Sequence, residues 1–544
     1  MTTLFAFVFL LSVLIFVHEL GHFAVAKWCG VRVLAFSLGF GRPIGIGRYK
    51  LAWTRGHTEY KVGWLPLGGY VKMLGENIDE ADDPALISSP DEALTAKKTW
   101  QKLAIVFAGP VMNLILPVAL FMGTLAFGMP RPVAVVGSLE PTSPAAAAGL
   151  QVGDELVSVG GEPVLWWTDF EKTVREHPGE SLPVEYRRDG QDAETQVVVG
   201  SRTSYNEFGE AVPAGFVGVG HHRLAATLGV PLLDSRAGLA GLRSGDQVVA
   251  VGDTDVEGWV AFERAFAAER GDVTIRVERG VEETETLEFT LPGGTDLAGL
   301  GVIPANVLIS TVVPDRPASR GGLEAGDLIL EVDGTPVVSF AAFAETVRTS
   351  EGRPLALTYA RNGVVHETTI APERNEYDMG MGNMEERYAV GIEARVHGLP
   401  GTIGKDVERN PLVSFPRAVT MTIDMTETFL TGLGKIVTGD VSRKQLAGPI
   451  GIAQIAGSAW EAGWQTYLSM MVLISINLGI LNLLPIPILD GGQAVLFSLE
   501  ALKGGELSLR TREVAQQIGL AFLLLLMGLA FWNDISRLLA SYGL

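Results

Sequence analysis

The sequence is poor in three things, and each shortage narrows what the chain can be. Cysteine occurs once in 544 residues, as Cys29, so neither an internal disulfide framework nor a multi-cysteine metal site is available. Any metal must be held by His, Asp or Glu. Basic residues are outnumbered, 42 Lys and Arg against 62 Asp and Glu, for a formal net charge of −20. Nucleic-acid binding, which calls for a basic surface, is thereby disfavoured. Histidine is scarce too, with eight in all, so a pair at ligand spacing stands out.

Against these shortages stands an abundance of apolar residues, 47% of the chain, and a positive mean hydropathy. Strong acidity and positive hydropathy conflict in an ordinary soluble protein, and they are reconciled by membrane segments joined to an acidic soluble portion. Four runs approach or exceed the roughly 20 residues that cross a bilayer: Leu4 to Ala26, Leu103 to Gly128, Thr466 to Leu489 and Val514 to Trp532. The first contains His18, Glu19 and His22 and follows an uncharged start, Met1-Thr2-Thr3. It is therefore expected to remain as a span and not to be removed as a signal peptide. Lys and Arg crowd between the first two runs, among them Lys27, Arg32, Arg42, Arg48, Lys61, Lys97, Lys98 and Lys102. The positive-inside rule puts that loop in the cytoplasm, and the long region after Gly128 and both termini outside.

The outer region repeats itself three times. SPAAAAGL (Ser143 to Leu150), SRAGLAGL (Ser235 to Leu242) and RPASRGGL (Arg316 to Leu323) are each followed by Gly-Asp, an alternating strand, a Gly-containing turn and then an aromatic: Phe170, Phe262 or Phe343. Each copy predicts a short helix, a tight turn, a strand and an amphipathic helix. This pattern resembles the PDZ domains of bacterial proteases, which implies binding of extended peptides by strand addition.

Chemistry concentrates at His18-Glu19-Leu20-Gly21-His22. Residues i and i+4 share a helix face, so both imidazoles reach one metal ion, with Glu19 placed to accept a proton from the water that the metal activates. Ionisable groups inside a membrane are costly and tend to be functional. A catalytic zinc takes a third protein ligand, and Asp490, near the end of the third apolar run, is the candidate at matching depth. Ahead of it, Pro485 and Pro487 prevent regular helix, and such backbone persists at membrane depth only beside protein or a water-filled cavity.

Together HELGH, FAGPVMN (Phe107 to Asn113), Gly39-Phe40-Gly41, LGGYVKMLGE (Leu67 to Glu76) and Asn482-x-x-Pro485-x-x-x-x-Asp490-Gly491 resemble the site-2 protease family of M50-type intramembrane zinc metalloproteases, in its bacterial RseP branch, over nearly the whole chain. The resemblance implies one Zn2+ held by His18, His22 and Asp490, Glu19 as catalytic base, and substrate contacts at Asn482 and Pro485. Gly39, Phe40 and Gly41 would belong to a membrane-reentrant β element that presents the substrate as an extended strand. The implied substrates are single-span membrane proteins of the anti-sigma-factor type and signal-peptide remnants, in a bacterial inner membrane. Members of this branch typically carry two PDZ units, whereas three are counted here.

The expected fold class is a polytopic α-helical membrane protein with four transmembrane helices, a cytoplasmic membrane-associated β element and periplasmic α/β PDZ domains. The expected division is span one at 1–28, the cytoplasmic loop at 29–100, span two at 101–130, PDZ copies at 131–222, 223–303 and 304–397, a periplasmic interfacial amphipathic segment at 398–464, span three at 465–500, and span four with the C-terminus at 501–544. Two competing readings make different demands. A catalytically inactive PDZ-bearing scaffold or chaperone has no need of His18, Glu19, His22 or Asp490, and a membrane-tethered soluble-type zincin calls for a third ligand in the outer region.

Overall fold

The computed structural model describes residues 2–46, 49–76, 89–206, 210–280, 284–378, 384–394, 398–439, 448–505 and 507–541. Arg48 and the 395–397 end of the third expected copy lie outside them. The chain divides into two compact units: Met1–Met129 with Asp406–Leu544, and Pro130–Lys405.

In the first unit the helices are α1 (Thr2–Trp28), α2 (Thr99–Phe127), α3 (Pro411–Thr438), α4 (Pro449–Glu461), α5 (Trp464–Asn482), α6 (Asp490–Lys503) and α7 (Leu509–Ser541), numbered within this unit. Four of them, α1, α2, α5 and α7, are long and apolar enough to cross a membrane. At a rise of about 1.5 Å per residue, α1 and α2 each extend about 40 Å and exceed the hydrocarbon thickness. They approach closely because small residues meet: a Cβ on Gly21 would collide with the backbone carbonyl of Ala108, as in other small-residue contacts between spans.

Between α1 and α2 the chain forms an antiparallel sheet in the order β1-β3-β2, made of β1 (Val33–Pro43), β2 (Ala52–Arg55) and β3 (Thr58–Met73). Val31, Val33, Phe36, Val71 and Met73 form a core with Ala26 of α1 and Ile105 of α2. Sheet and helices are thus one packed body. Trp53, stacked on its cross-strand partner Tyr60, is exposed, as are Tyr49 and Trp64.

The apolar run 466–489 breaks where its prolines predict: α5 stops at Asn482 and α6 begins at Asp490. Between them, Pro485 and Pro487 lack the backbone donors that a continuing helix uses. The expected interfacial segment 398–464 is also divided, because residues from Asp406 onward belong to the membrane unit. Its helix α3 turns Ala418, Met421, Met425 and Phe429 against Phe121, Val472, Ile476 and Ile480 of α2 and α5. Its apolar face therefore meets other helices.

The span α7 is the least embedded of the four. Near its C-terminal end the buried Asp534 accepts hydrogen bonds from the backbone N–H groups of Gly448, Ile450 and Gly451, each at 3.0 Å. These are unpaired donors at the start of α4, so a carboxylate from another span caps this helix. Near its N-terminal end, Arg512 pairs with Glu500 of α6.

Among the described residues, the second unit contains three four-stranded sheets of identical order. In the first, strands Gln191–Val198, Ser181–Arg188, Glu155–Val159 and Glu162–Pro163 lie side by side. The copies built on Gln247–Val251 and Leu328–Val332 repeat that order. Helices Trp167–Glu176, Trp259–Ala268 and Phe340–Thr349 close one core each, with Phe170, Phe262 and Phe343 buried within. The Gly-Asp signature has a common cause. Asp154, Asp246 and Asp327 are buried, and each is gripped by an arginine, Arg188, Arg279 or Arg361, at 2.6 to 2.8 Å. Each also accepts the backbone N–H three residues earlier, from Gln151, Arg243 or Glu324. The three guanidinium pKa values are pushed up, chiefly by the hydrogen bond to the aspartate. The copies are not all equivalent. The first and third carry an added hairpin, Gly200–Tyr205 with Ala211–Phe216 and Glu373–Asp378 with Met384–Ala389, while the middle one makes this connection with a single turn at Ala298–Leu300.

Candidate metal centre

His18 and His22 lie one turn apart in the second half of α1, both buried. Their Nε2 atoms face each other at 3.2 Å. Oδ2 of Asp490, the first residue of α6, lies 3.1 Å from the first and 3.6 Å from the second. Asp490 reaches this point because the helix is broken ahead of it and because glycines follow it. A Cβ on Gly491 or Gly492 would strike the backbone of Leu483 or Ile486, so the turn closes only without side chains there.

The three atoms suit a small divalent cation. Ligands at about 2.0–2.1 Å from a tetrahedral zinc are separated by roughly 3.3 Å, and the observed separations of 3.1, 3.2 and 3.6 Å bracket that value. The donor set of two imidazoles and a carboxylate is that of a catalytic zinc with a remaining open position. Moreover, Nδ1 of His22 lies 2.8 Å from the backbone carbonyl of Ile105. A carbonyl only accepts, so that ring carries its hydrogen on Nδ1 and presents Nε2 as a lone pair. The space is reserved by Gly109 of α2, where any Cβ would meet Nε2 of His22 and Cε1 of His18.

Glu19 sits beside this triangle, within electrostatic reach of both histidines and of Asp490. Its Cγ borders Gly69 of β3. The β element therefore reaches the carboxylate next to the metal position. Gly39, Phe40 and Gly41 lie on β1, one of the two edge strands of that sheet, where Phe40 pairs with Leu65 and stacks on Tyr70. Asn482 ends α5 and Pro485 is exposed in the segment leading to Asp490. His18, His22, Glu19 and Asp490 are thus brought together; Asn482 and Pro485 lie in the chain that leads into Asp490, and the 39–41 segment lies in the sheet whose strand β3 borders Glu19. Sequence reasoning gave no part to Gly109, Ile105, Gly69 or Asn113. The signal for two of them was present in FAGPVMN, whose glycine and asparagine interrupt an otherwise apolar span.

Comparison with known proteins agrees with this geometry. The family model described as peptidase family M50 matches residues 6–526. The regulator of sigma-E protease RseP of Escherichia coli is 32% identical over 538 residues, covering 98% of both chains. Protease RseP of Yersinia pestis is 32% identical over 543 residues, covering 98% of this chain and 99% of its own. A Neisseria meningitidis protein whose name assigns it as a zinc metalloprotease is 31% identical over 555 residues, 99% of this chain and all of its own. With full-length relatives above 30% identity and a family model spanning most of its residues, the chain belongs to peptidase family M50, the intramembrane zinc metalloproteases of the site-2 type.

Proposed function

We propose that this protein holds one zinc ion through His18, His22 and Asp490 in a bacterial inner membrane and hydrolyses peptide bonds in membrane-spanning segments of other proteins, with Glu19 as the general base. The observation that carries this reading is the convergence of two Nε2 atoms and one carboxylate oxygen, from opposite ends of the chain, beside a second carboxylate. Zinc, when bound, supplies Lewis-acid polarisation and water activation. Glu19 takes a proton from the attacking water and returns it to the departing amine. A substrate helix satisfies its own backbone, so cutting it requires unwinding and replacement hydrogen bonds. The edge strand β1, with Gly39, Phe40 and Gly41, offers them by strand addition. Asn482 and Pro485 contact the substrate from the other side.

The outer copies are PDZ domains that recognise or restrict what reaches the membrane unit, and they lie in the periplasm with both termini. The metal position lies toward the cytoplasmic leaflet. This orientation is supported by Ile105, which contacts His22 only three residues from Lys102, in the first turn of α2 where the basic stretch ends. Two relatives are named as RseP proteases, one of them as the regulator of sigma-E. The substrates proposed here are accordingly single-span proteins of the anti-sigma-factor type and leftover signal peptides.

The test is Glu19→Gln in the full chain. Bound zinc should stay at the parent level while cleavage of a single-span substrate falls on the order of 100- to 10,000-fold; retained cleavage would remove Glu19 from the mechanism. For orientation, a cysteine introduced at Asp189 should react with a membrane-impermeant thiol reagent in intact spheroplasts. Labelling only after the membrane is opened would invert the assignment.

A further inference from the structure

The geometry points to Asn113 as a positioning residue that holds the His18 ring through Nδ1, so that Nε2 of that ring faces the metal position as a free lone pair. This deepens the zinc reading above and rests on it.

Asn113 lies on α2 with no exposed surface. Its carboxamide is 3.1 Å from Nδ1 of His18. As placed, Nδ2 faces the ring and Oδ1 has no hydrogen-bond partner. The two ends of a carboxamide are nearly equal in size, and hydrogen-bond chemistry decides which one faces the ring. A ring that coordinates through Nε2 carries its hydrogen on Nδ1 and requires an acceptor there. Oδ1 of Asn113 is that acceptor once the amide is turned.

The neighbouring ring shows the same arrangement built from backbone. Nδ1 of His22 meets the Ile105 carbonyl at 2.8 Å, so α2 holds both rings from behind, one by a main-chain carbonyl and one by a side-chain carbonyl. Asn113 is itself tethered: the buried Ser475 hydroxyl of α5 donates to its backbone carbonyl at 2.7 Å. A primary amide inside a span, with one end unpaired, costs free energy that leucine of similar size would avoid. Packing alone does not explain it.

The experiment compares Asn113→Leu, Asn113→Ser and Asn113→Asp in the full chain, reading zinc affinity by chelator competition and visible absorption after cobalt substitution, alongside the thermal midpoint of each metal-free protein. Leucine keeps the volume without an acceptor, serine is too short to reach the ring, and aspartate keeps an acceptor in place. Expected are zinc affinities on the order of 10- to 100-fold weaker for leucine and serine, an altered cobalt spectrum in both, and recovery of affinity in Asn113→Asp. If the leucine variant fails to fold, serine and aspartate still give opposite results. Parent-like zinc affinity in the leucine or the serine variant overturns the proposal, as does loss in aspartate equal to that in serine. His18→Ala serves as control: zinc loss there with none in Asn113→Leu defeats only the role of Asn113, whereas full zinc retention in His18→Ala defeats the metal centre itself.

Discussion

Asp490 of the first unit and the three aspartates at the Gly-Asp turns of the second are held in different ways. In the second unit, which we propose to be the outer one, Asp154, Asp246 and Asp327 each receive an arginine fork and a backbone N–H. Charge and hydrogen-bonding capacity are met within one copy, and the same solution appears three times. In the membrane unit, the ion-pair partners of Asp490 among the described residues are two histidines whose Nε2 atoms crowd one another at 3.2 Å. Two imidazole nitrogens and a carboxylate oxygen converging on one point form the donor set that the proposed dication would complete. A group satisfied by its own fold stabilises structure; one that needs something from outside marks function.

That contrast breaks most visibly at Gly109. Replacing glycine by alanine inside a helix normally helps by about 1 kcal/mol, and Gly109→Ala should raise the helix-forming tendency of α2. Its methyl would nonetheless occupy the space of the His22 and His18 rings. The expected outcome is zinc loss and a fall in cleavage on the order of 100-fold or more, with the urea midpoint of the outer unit unchanged. Zinc content by metal analysis and cleavage of a short membrane substrate check this together. Normal zinc in folded Gly109→Ala protein would show that the rings have room to move and that the centre is less constrained than its geometry implies.

How much was readable in advance follows the same division. The three copies were legible because each repeats its pattern within about 80 residues, and periodicity with turn residues is a local signal. His18, Glu19 and His22 were legible for the same reason, as neighbours on one helix turn. Asp490 was found by depth and resemblance, since no local pattern ties it to the start of the chain. The rest depends on which faces meet after packing. FAGPVMN could not announce that its glycine would make room for two imidazoles or that its asparagine would back one of them. Nor could Pro411 to Thr438 reveal that its methionine and phenylalanine stripe meets α2 and α5, because an amphipathic helix reads alike whether its apolar face meets lipid or protein. The added hairpins of the first and third copies escaped notice because they follow the repeated pattern.

The smaller effects belong to the outer unit, where removing one partner and removing both should differ. Arg279→Met leaves Asp246 buried without its cation, and unpairing a buried charge costs about 3 kcal/mol, at the low end because the guanidinium is partly exposed. Adding Asp246→Leu removes the stranded charge, and a paired replacement by apolar side chains is often neutral. Here it should not be fully so. Oδ2 of Asp246 also accepts the Arg243 N–H, and Arg279 also donates to the Gly241 carbonyl, so two backbone groups lose partners. A residual cost of about 1–2 kcal/mol is expected for the double variant, smaller than for Arg279→Met alone. Urea unfolding of the outer unit in the full chain, read as a double-mutant cycle, measures the coupling. Cleavage of a short membrane substrate should match the parent in all three variants. If instead the double variant is as unstable as the single one, the aspartate serves mainly to hold the Gly-Asp turn through its backbone hydrogen bond, and the ion pair is secondary.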